Sequence, residues 1–135
     1  MSHFSLFLSS HISSPFNSTP NDNQLVIKVV YAGSNPKDWK LPELGVPGNS
    51  GDDAAGYVHS VGAKVSEFKV GDRVAIFHEM TKEGGTFAEY ALAWEHTTFH
   101  LPKETSFEEG ATIPLAGELR DCHLQRYRVL IPLKQ

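Results

Sequence analysis

The chain has 135 residues, of which 40% are hydrophobic and 21% charged, and its formal net charge is −4. This size fits one domain with a core of its own, and the acidic balance argues against a nucleic-acid partner, which requires a basic face. The single cysteine, Cys122, excludes an internal disulfide and a multi-cysteine zinc site, and it fits a reducing, cytoplasmic location. No apolar run approaches the roughly 18 residues that cross a membrane, so we expect no membrane partner.

The first third of the chain alternates between irregular and strand-like composition. Residues 1–24 are rich in Ser, Asn and Pro and are predicted to form an irregular N-terminal segment. The stretch "QLVIKVVYAG" (24–33) has the apolar, β-branched composition of a strand. Residues 34–53, "SNPKDWKLPELGVPGNSGDD", contain three prolines and three glycines, and we predict a long loop, which is uncommon in a compact domain unless it is functional.

The middle of the chain predicts several short strands. "AAGYVHSVG" forms one of them, and Gly56 within it indicates a close approach of two backbones. A turn at 69–72 leads into a strand at Arg73–Phe77, and Val70 beside it is expected in the core. Two more strands are predicted within "GGTFAEYALA" (84–93) and "HTTFHLP" (96–102).

One helix is predicted near the end of this region. Ser106 precedes Glu109 by three residues, which is the spacing of a capping box, where each side chain accepts a hydrogen bond from a free amide at a helix start. Many short strands and a late helix indicate a fold that is mainly β with short helices and resembles a partly open β-barrel.

The usual catalytic motifs are incomplete in this sequence. His78-Glu79 begins like the metal-binding H-E-x-x-H pattern, but Lys82 stands at its fifth position, so we predict no metal. "GNSGD" resembles a nucleophile elbow only until Asp52 replaces the final glycine. "AGYVHSVGAKV" has too few glycines for a dinucleotide-binding turn.

Four stretches together resemble a known family. They are "GSNPKDWK", "GDDAAGYVHSVGAKVSEFKVGDRV", "GGTFAEYA" and "LPKETSFEEGATIPLAG". In this order and spacing they are similar to the GroES-like catalytic domain of medium-chain dehydrogenases/reductases, over residues 25–117. The similarity is greatest to the zinc-independent branch, which holds quinone oxidoreductases and the fungal trans-enoyl reductases associated with polyketide synthases.

The resemblance implies a GroES-like barrel, NADPH as cofactor and no zinc. Zinc-dependent members carry a Gly-His-Glu segment where this chain has "GDD", and neither aspartate is the soft or imidazole ligand that zinc prefers. The implied reaction transfers a hydride to a small substrate that is an activated alkene or a quinone.

The resemblance also implies a site in the loop after the first strand. Asn35, Pro36 and Asp38 correspond to the residues that border the nicotinamide, and Asp38 and Lys40 are the candidate catalytic residues. Trp39 would shape the substrate pocket. Without the resemblance, Asn35–Asp38 reads as an ordinary turn, in which Asn, Pro and Asp are common.

Residues 118–135 diverge from the family pattern, and we expect them to take the place of the Rossmann domain that relatives carry. We therefore expect the isolated chain to be inactive and its open domain-interface face to favour self-association. Two alternatives remain: a binding or regulatory module that retains only the barrel, and a co-chaperonin, which shares the barrel but has no use for "NPKDW" or "GGTFAEY".

Overall fold

The computed structural model describes residues 19–45 and 51–115. Five strands and two short helices lie in these ranges: β1 (Gln24–Gly33), α1 (Pro36–Glu43), β2 (Asp53–Val61), β3 (Arg73–Phe77), β4 (Tyr90–Trp94), β5 (Thr98–His100) and α2 (Phe107–Gly110). A 3-10 turn at Glu95–Thr97 joins β4 to β5. The predictions for residues 1–18 and 116–135, including Cys122, lie outside the described residues.

The strands form one antiparallel sheet in the order β4-β1-β2-β3-β5. β1 pairs with β4 on one side and with β2 on the other, so that Ile27 lies opposite both Ala91 and Val58. The β1–β2 register shifts twice, between Val26 and Ile27 and between Val29 and Tyr31. Such irregularities bend a strand, and the sheet curves into half of a barrel. The predicted fold class is thereby confirmed.

Both faces of the sheet are covered by apolar side chains. The larger cluster, on one face of the sheet, consists of Leu25, Ile27, Ala54, Val58, Phe68, Val74, Ile76, Ala91 and Ala93. The smaller cluster joins Ala55 and Ala75 of the sheet to Leu101 and Ala111, with Phe107 of α2 packed against it. Successive residues of a strand face opposite ways, so Ala54 and Ala55 contribute to different clusters. α2 is held on the second face by this packing.

Close packing of β1 and β2 explains the glycine in the middle of β2. A Cβ atom at Gly56 would lie 2.1 Å from the carbonyl oxygen of Lys28 on β1. The predicted close approach of two backbones is confirmed, and no other residue fits here without displacing a strand.

Two local predictions from turn chemistry are also confirmed. In the turn before β3, the Asp72 amide donates to the Lys69 carbonyl at 3.1 Å, and the Lys69 amide donates to Asp72 Oδ2 at 3.0 Å. At α2, the Glu109 amide donates to Ser106 Oγ at 3.2 Å, and the Ser106 amide donates to Glu109 Oε2 at 2.9 Å. The capping box therefore has both of its hydrogen bonds.

Three predictions need correction. The segment 34–53 is not simply a loop, because Pro36 is the first residue of α1, a position where its fixed φ favours a helix. In the stretch 84–93 the strand begins only at Tyr90. Val70 is 63% exposed, because it lies in the turn before β3 and not in the strand itself.

Within residues 19–45 and 51–115, no helix has the length and apolar character needed to cross a membrane.

Candidate functional site

α1 carries the residues singled out from the sequence. None of its residues is buried as a whole, although the Asp38 side chain is only 5% exposed. A surface helix is ordinarily fixed to a protein by an apolar stripe. α1 instead depends on polar contacts, which come from its first turn and from the residue before it. These contacts reach the start of β2, where Asp52 and Asp53 follow one another.

The first contact fixes the residue that precedes α1. Asn35 Nδ2 donates to Asp53 Oδ2 at 2.7 Å, and the Leu115 amide donates to Asp53 Oδ1 at 2.8 Å. Asp53 is buried, with only 3% of its surface exposed. Burial raises the pKa of Asp53, and the charges of Asp52 and Asp38 act in the same direction, while the hydrogen bonds from Asn35 and Leu115 lower it; the net shift is upward.

The second contact is a buried arrangement of three charged groups. Lys37 Nζ pairs with Asp38 Oδ1 at 3.1 Å and also with Asp52 Oδ2. The side chains of Lys37, Asp38 and Asp52 are 19%, 5% and 0% exposed. Burial lowers the pKa of Lys37, but the ion pairs with Asp52 and Asp38 outweigh it and raise the pKa overall. Asp38 Oδ2 also accepts from the Asn35 amide at 2.7 Å, which completes the link across the first turn.

The end of β1 is pressed against the segment that follows α2. A Cβ atom at Gly33 would lie 2.2 Å from the Ala111 carbonyl oxygen and 2.9 Å from Asp53 Cβ. Only glycine allows this approach. The β1–α1 junction, the start of β2 and residues 111–115 therefore meet at one place, which we call the junction site.

The structure separates the residues predicted from the sequence into two groups. Asn35 and Asp38 take part in the junction site, with most of their polar atoms engaged. Pro36 and Lys40 are exposed, and Lys40 Nζ lies 5.3 Å from the ring centroid of Trp39, which is 54% exposed. The predicted roles of all four residues remain predictions.

Three participants were not identified from the sequence as members of the site: Lys37, Asp52 and Asp53. Lys37 lies inside the motif "NPKDW" and was passed over in favour of Lys40. The available signal was the pair of consecutive aspartates just before a strand rich in apolar residues, since buried carboxylates need partners.

His78, which begins the pattern that resembled a metal motif, contacts two backbone carbonyl groups. His78 is 2% exposed, its Nδ1 lies 2.6 Å from the Leu92 carbonyl oxygen, and its Nε2 lies 3.2 Å from the Lys82 carbonyl oxygen. The ring thus connects the loop after β3 to β4. Within the described ranges, no group of three or more His, Cys, Asp or Glu side chains is placed to hold a metal ion.

Comparison with known proteins identifies the family. Residues 21–103 match the alcohol dehydrogenase GroES-like domain. A trans-enoyl reductase of Gibberella fujikuroi is 53% identical over 104 residues, which cover 75% of this chain and 31% of that protein. Human quinone oxidoreductase is 39% identical over 134 residues, covering 93% of this chain and 36% of the relative.

A solved structure gives the same result. Escherichia coli quinone oxidoreductase, crystallised in complex with NADPH, superposes with a TM-score of 0.65 at 27% identity, over 84% of this chain and 33% of that one. The chain spans about a third of the length of the relatives it matches. The relatives of this chain named here are quinone oxidoreductases and a trans-enoyl reductase. The chain belongs to the alcohol dehydrogenase GroES-like domain family of the medium-chain dehydrogenases/reductases, which is a family of oxidoreductases.

Proposed function

We propose that this domain forms one wall of the hydride-transfer site of a zinc-independent, NADPH-dependent reductase that acts on an activated carbon–carbon double bond. The observation that carries the proposal is the junction site. It holds Asn35 and Asp38 through buried polar contacts and leaves Pro36, Trp39 and Lys40 exposed beside them. The relatives named as trans-enoyl reductase and quinone oxidoreductase support this reaction class. A cytoplasmic location belongs to the same proposal.

The exposed groups around α1 fit one side of a nicotinamide and a conjugated substrate. Trp39 and Pro36 offer flat or rigid apolar surface, which suits an aromatic ring and an alkene. Lys40 offers a mobile ammonium group, which suits a carbonyl oxygen. Asn35 and Asp38 are already hydrogen bonded within the domain, so we assign them to positioning at the edge of the cofactor site and not to donation to the cofactor.

NADPH, when bound, would supply the hydride that adds to the β-carbon of the substrate. The electron pair of the double bond then moves toward the carbonyl oxygen, and a proton from solvent completes the reduction at the α-carbon. Lys40 would stabilise the charge that develops on the carbonyl oxygen, which is a contribution that exists only as the reaction proceeds. Asn35, Pro36 and Asp38 would fix the geometry in which the two carbons approach.

A chimeric enzyme tests this proposal. The corresponding third of the Gibberella fujikuroi trans-enoyl reductase is replaced by this chain, which is practical at 53% identity over 104 residues. We expect NADPH oxidation at 340 nm that depends on an enoyl thioester. Lys40→Ala is expected to lower kcat/KM about 10- to 100-fold, because one electrostatic contact to the developing charge is lost.

Lys103→Ala is the matched control, because Lys103 is also exposed but lies in the turn before α2. Its kcat/KM should equal that of the unchanged chimera. A chimera that binds NADPH and shows the same rate with Lys40→Ala would contradict the role of Lys40. A folded chimera that binds NADPH but reduces no substrate would favour the alternative of a binding or regulatory module.

A further inference from the structure

We propose that Asp53 is a positioning residue: its carboxylate connects the candidate site to the segment following α2 and thereby fixes the position of Asn35 relative to Leu115. This inference rests on the proposed function in one respect: whether the contact matters for catalysis. The contact itself is a property of the domain, and it is tested without a cofactor.

The argument begins with the two oxygens of one carboxylate. Oδ2 accepts from the Asn35 side chain at 2.7 Å, and Oδ1 accepts from the Leu115 backbone at 2.8 Å. The two donors are far apart in the chain, and Leu115 lies 62 residues from Asp53. A single buried group therefore joins the β1–α1 junction to the segment after α2.

The chemistry at position 53 is specific to a carboxylate. Both contacts require an acceptor, and an ionised carboxylate offers two, whereas an asparagine offers one acceptor and one donor. With the Asn35 amide in its present orientation, substitution by asparagine would direct an N–H group at another N–H group. Leaving a buried donor without an acceptor is costly, so the contact is not interchangeable with a neutral isostere.

The surroundings explain why this contact transmits displacement. Gly33 is packed against the Ala111 carbonyl at a distance that no side chain permits, so the end of β1 and residues 111–115 have little space to move independently. A displacement of Leu115 would therefore also displace Asn35. Asn35 is the residue before α1, the helix that carries the exposed Lys40. Asp53 in this way connects residues 111–115 to the helix that carries the exposed Trp39 and Lys40.

Single substitutions and their combination test the proposal in the full chain. Asp53→Asn removes one acceptor, and Asn35→Asp places a second carboxylate opposite the first. The double variant N35D/D53N restores both contacts with the same net charge. The asparagine at position 53 then donates to the aspartate at position 35 and still accepts from the Leu115 amide, and aspartate is also favourable in the position before a helix.

The measurement is amide hydrogen exchange of Leu115, followed by NMR. Each single variant should accelerate exchange about tenfold. Asp53→Asn leaves one oxygen for two donors, and Asn35→Asp places a second carboxylate against Asp53, whose repulsion displaces the oxygen that accepts from Leu115. The double variant should return the rate to within about threefold of the unchanged chain. Asp72→Asn is the matched control, because Asp72 also accepts a backbone amide but lies in the turn before β3, and Leu115 exchange should not change.

A second readout needs no substitution. The chemical shift of the Leu115 amide should follow the ionisation of Asp53, with a midpoint above that of an ordinary aspartate because burial raises its pKa. Asp52 and Asp38 are the charged groups that act on Asp53, and Lys37 pairs with both of them. The titration should disappear in Asp53→Asn.

Several results would overturn the proposal. They are unchanged Leu115 exchange in both single variants, failure of the double variant to restore a lost contact, and a Leu115 amide that does not titrate in the unchanged chain. None of these outcomes bears on NADPH or substrate. A chimera without reductase activity would contradict the proposed function while the hydrogen-exchange result still stood or fell by itself.

Discussion

Replacing Lys37 by alanine removes the cation between two buried carboxylates. Asp52 and Asp38 are 0% and 5% exposed and would be left without the ammonium group that pairs with both. Breaking a buried ion pair costs about 3 to 5 kcal/mol, and we expect about 3 kcal/mol because Lys37 itself is 19% exposed. With a slope of about 2 kcal/mol per molar urea, the unfolding midpoint should fall by about 1.5 M.

Urea unfolding followed by tryptophan fluorescence measures this change. Lys40→Ala is the control, since Lys40 is exposed on the same helix and its loss should cost no more than about 0.5 kcal/mol. The pKa of Lys37 is raised from 10.5, so its contribution is complete below that value and is lost only as the pH rises through the folded pKa. The difference should therefore be constant near neutral pH. Equal midpoints for the two alanine variants would refute the argument that the junction site depends on this ion pair.

Four further predictions follow from other parts of the structure. The hydrogen bonds from the Glu67 and Ser66 amides lower the pKa of Glu95. The stabilisation that Glu95 gives the loop containing these amides should therefore be lost as the pH falls through the lowered pKa. Glu95→Gln should remove this pH dependence from the hydrogen exchange of the two amides. Gly56→Ala should lower the free energy of unfolding by about 3 kcal/mol or more, because the new methyl group meets the Lys28 carbonyl. The isolated chain should show no saturable NADPH binding in a fluorescence titration, because its sequence has no glycine-rich phosphate turn. Exposed apolar side chains on and near α1 should promote self-association, measurable by light scattering at high concentration.

Each of these predictions has a distinct contrary result. Gly45→Ala is the comparison for Gly56→Ala, since nothing lies within 4 Å of an added Cβ at Gly45 and only its positive φ costs about 1 to 2 kcal/mol. Equal costs for the two would contradict the close approach. Micromolar binding of NADPH, a monodisperse monomer at high concentration, or unchanged pH dependence in Glu95→Gln would each contradict the corresponding expectation.

The strands and the second helix could be predicted from the sequence because their signals are local. β-branched composition identified β1 and β3, and the Ser106–Glu109 spacing identified the start of α2. α1 was missed because it contains two prolines, Pro36 and Pro42, and has glycines on both sides, although proline at the first helical position favours a helix. Val70 was misassigned because its residue type suggests the core while its turn position exposes it.

The candidate site could be predicted only in part, because its decisive contacts join distant residues. The segment "NPKDW" was identified through resemblance, but nothing local distinguishes Lys37 from Lys40. The distinction comes from Asp52, which lies 15 positions further along the chain and reaches Lys37 only in the folded sheet. Leu115 enters through its backbone amide, and residue type gives no indication of that contact.

The contact between Asp53 and Leu115 also determines when the junction site can be completed during synthesis. Leu115 is made 62 residues after Asp53, which corresponds to about 3 to 12 s of translation at about 5 to 20 residues per second. Throughout that interval the second oxygen of the Asp53 carboxylate has no Leu115 amide to accept from. The residues that form β1, α1 and β2 are therefore synthesised well before the last part of the junction site exists, and the site can be completed only after α2 has been made.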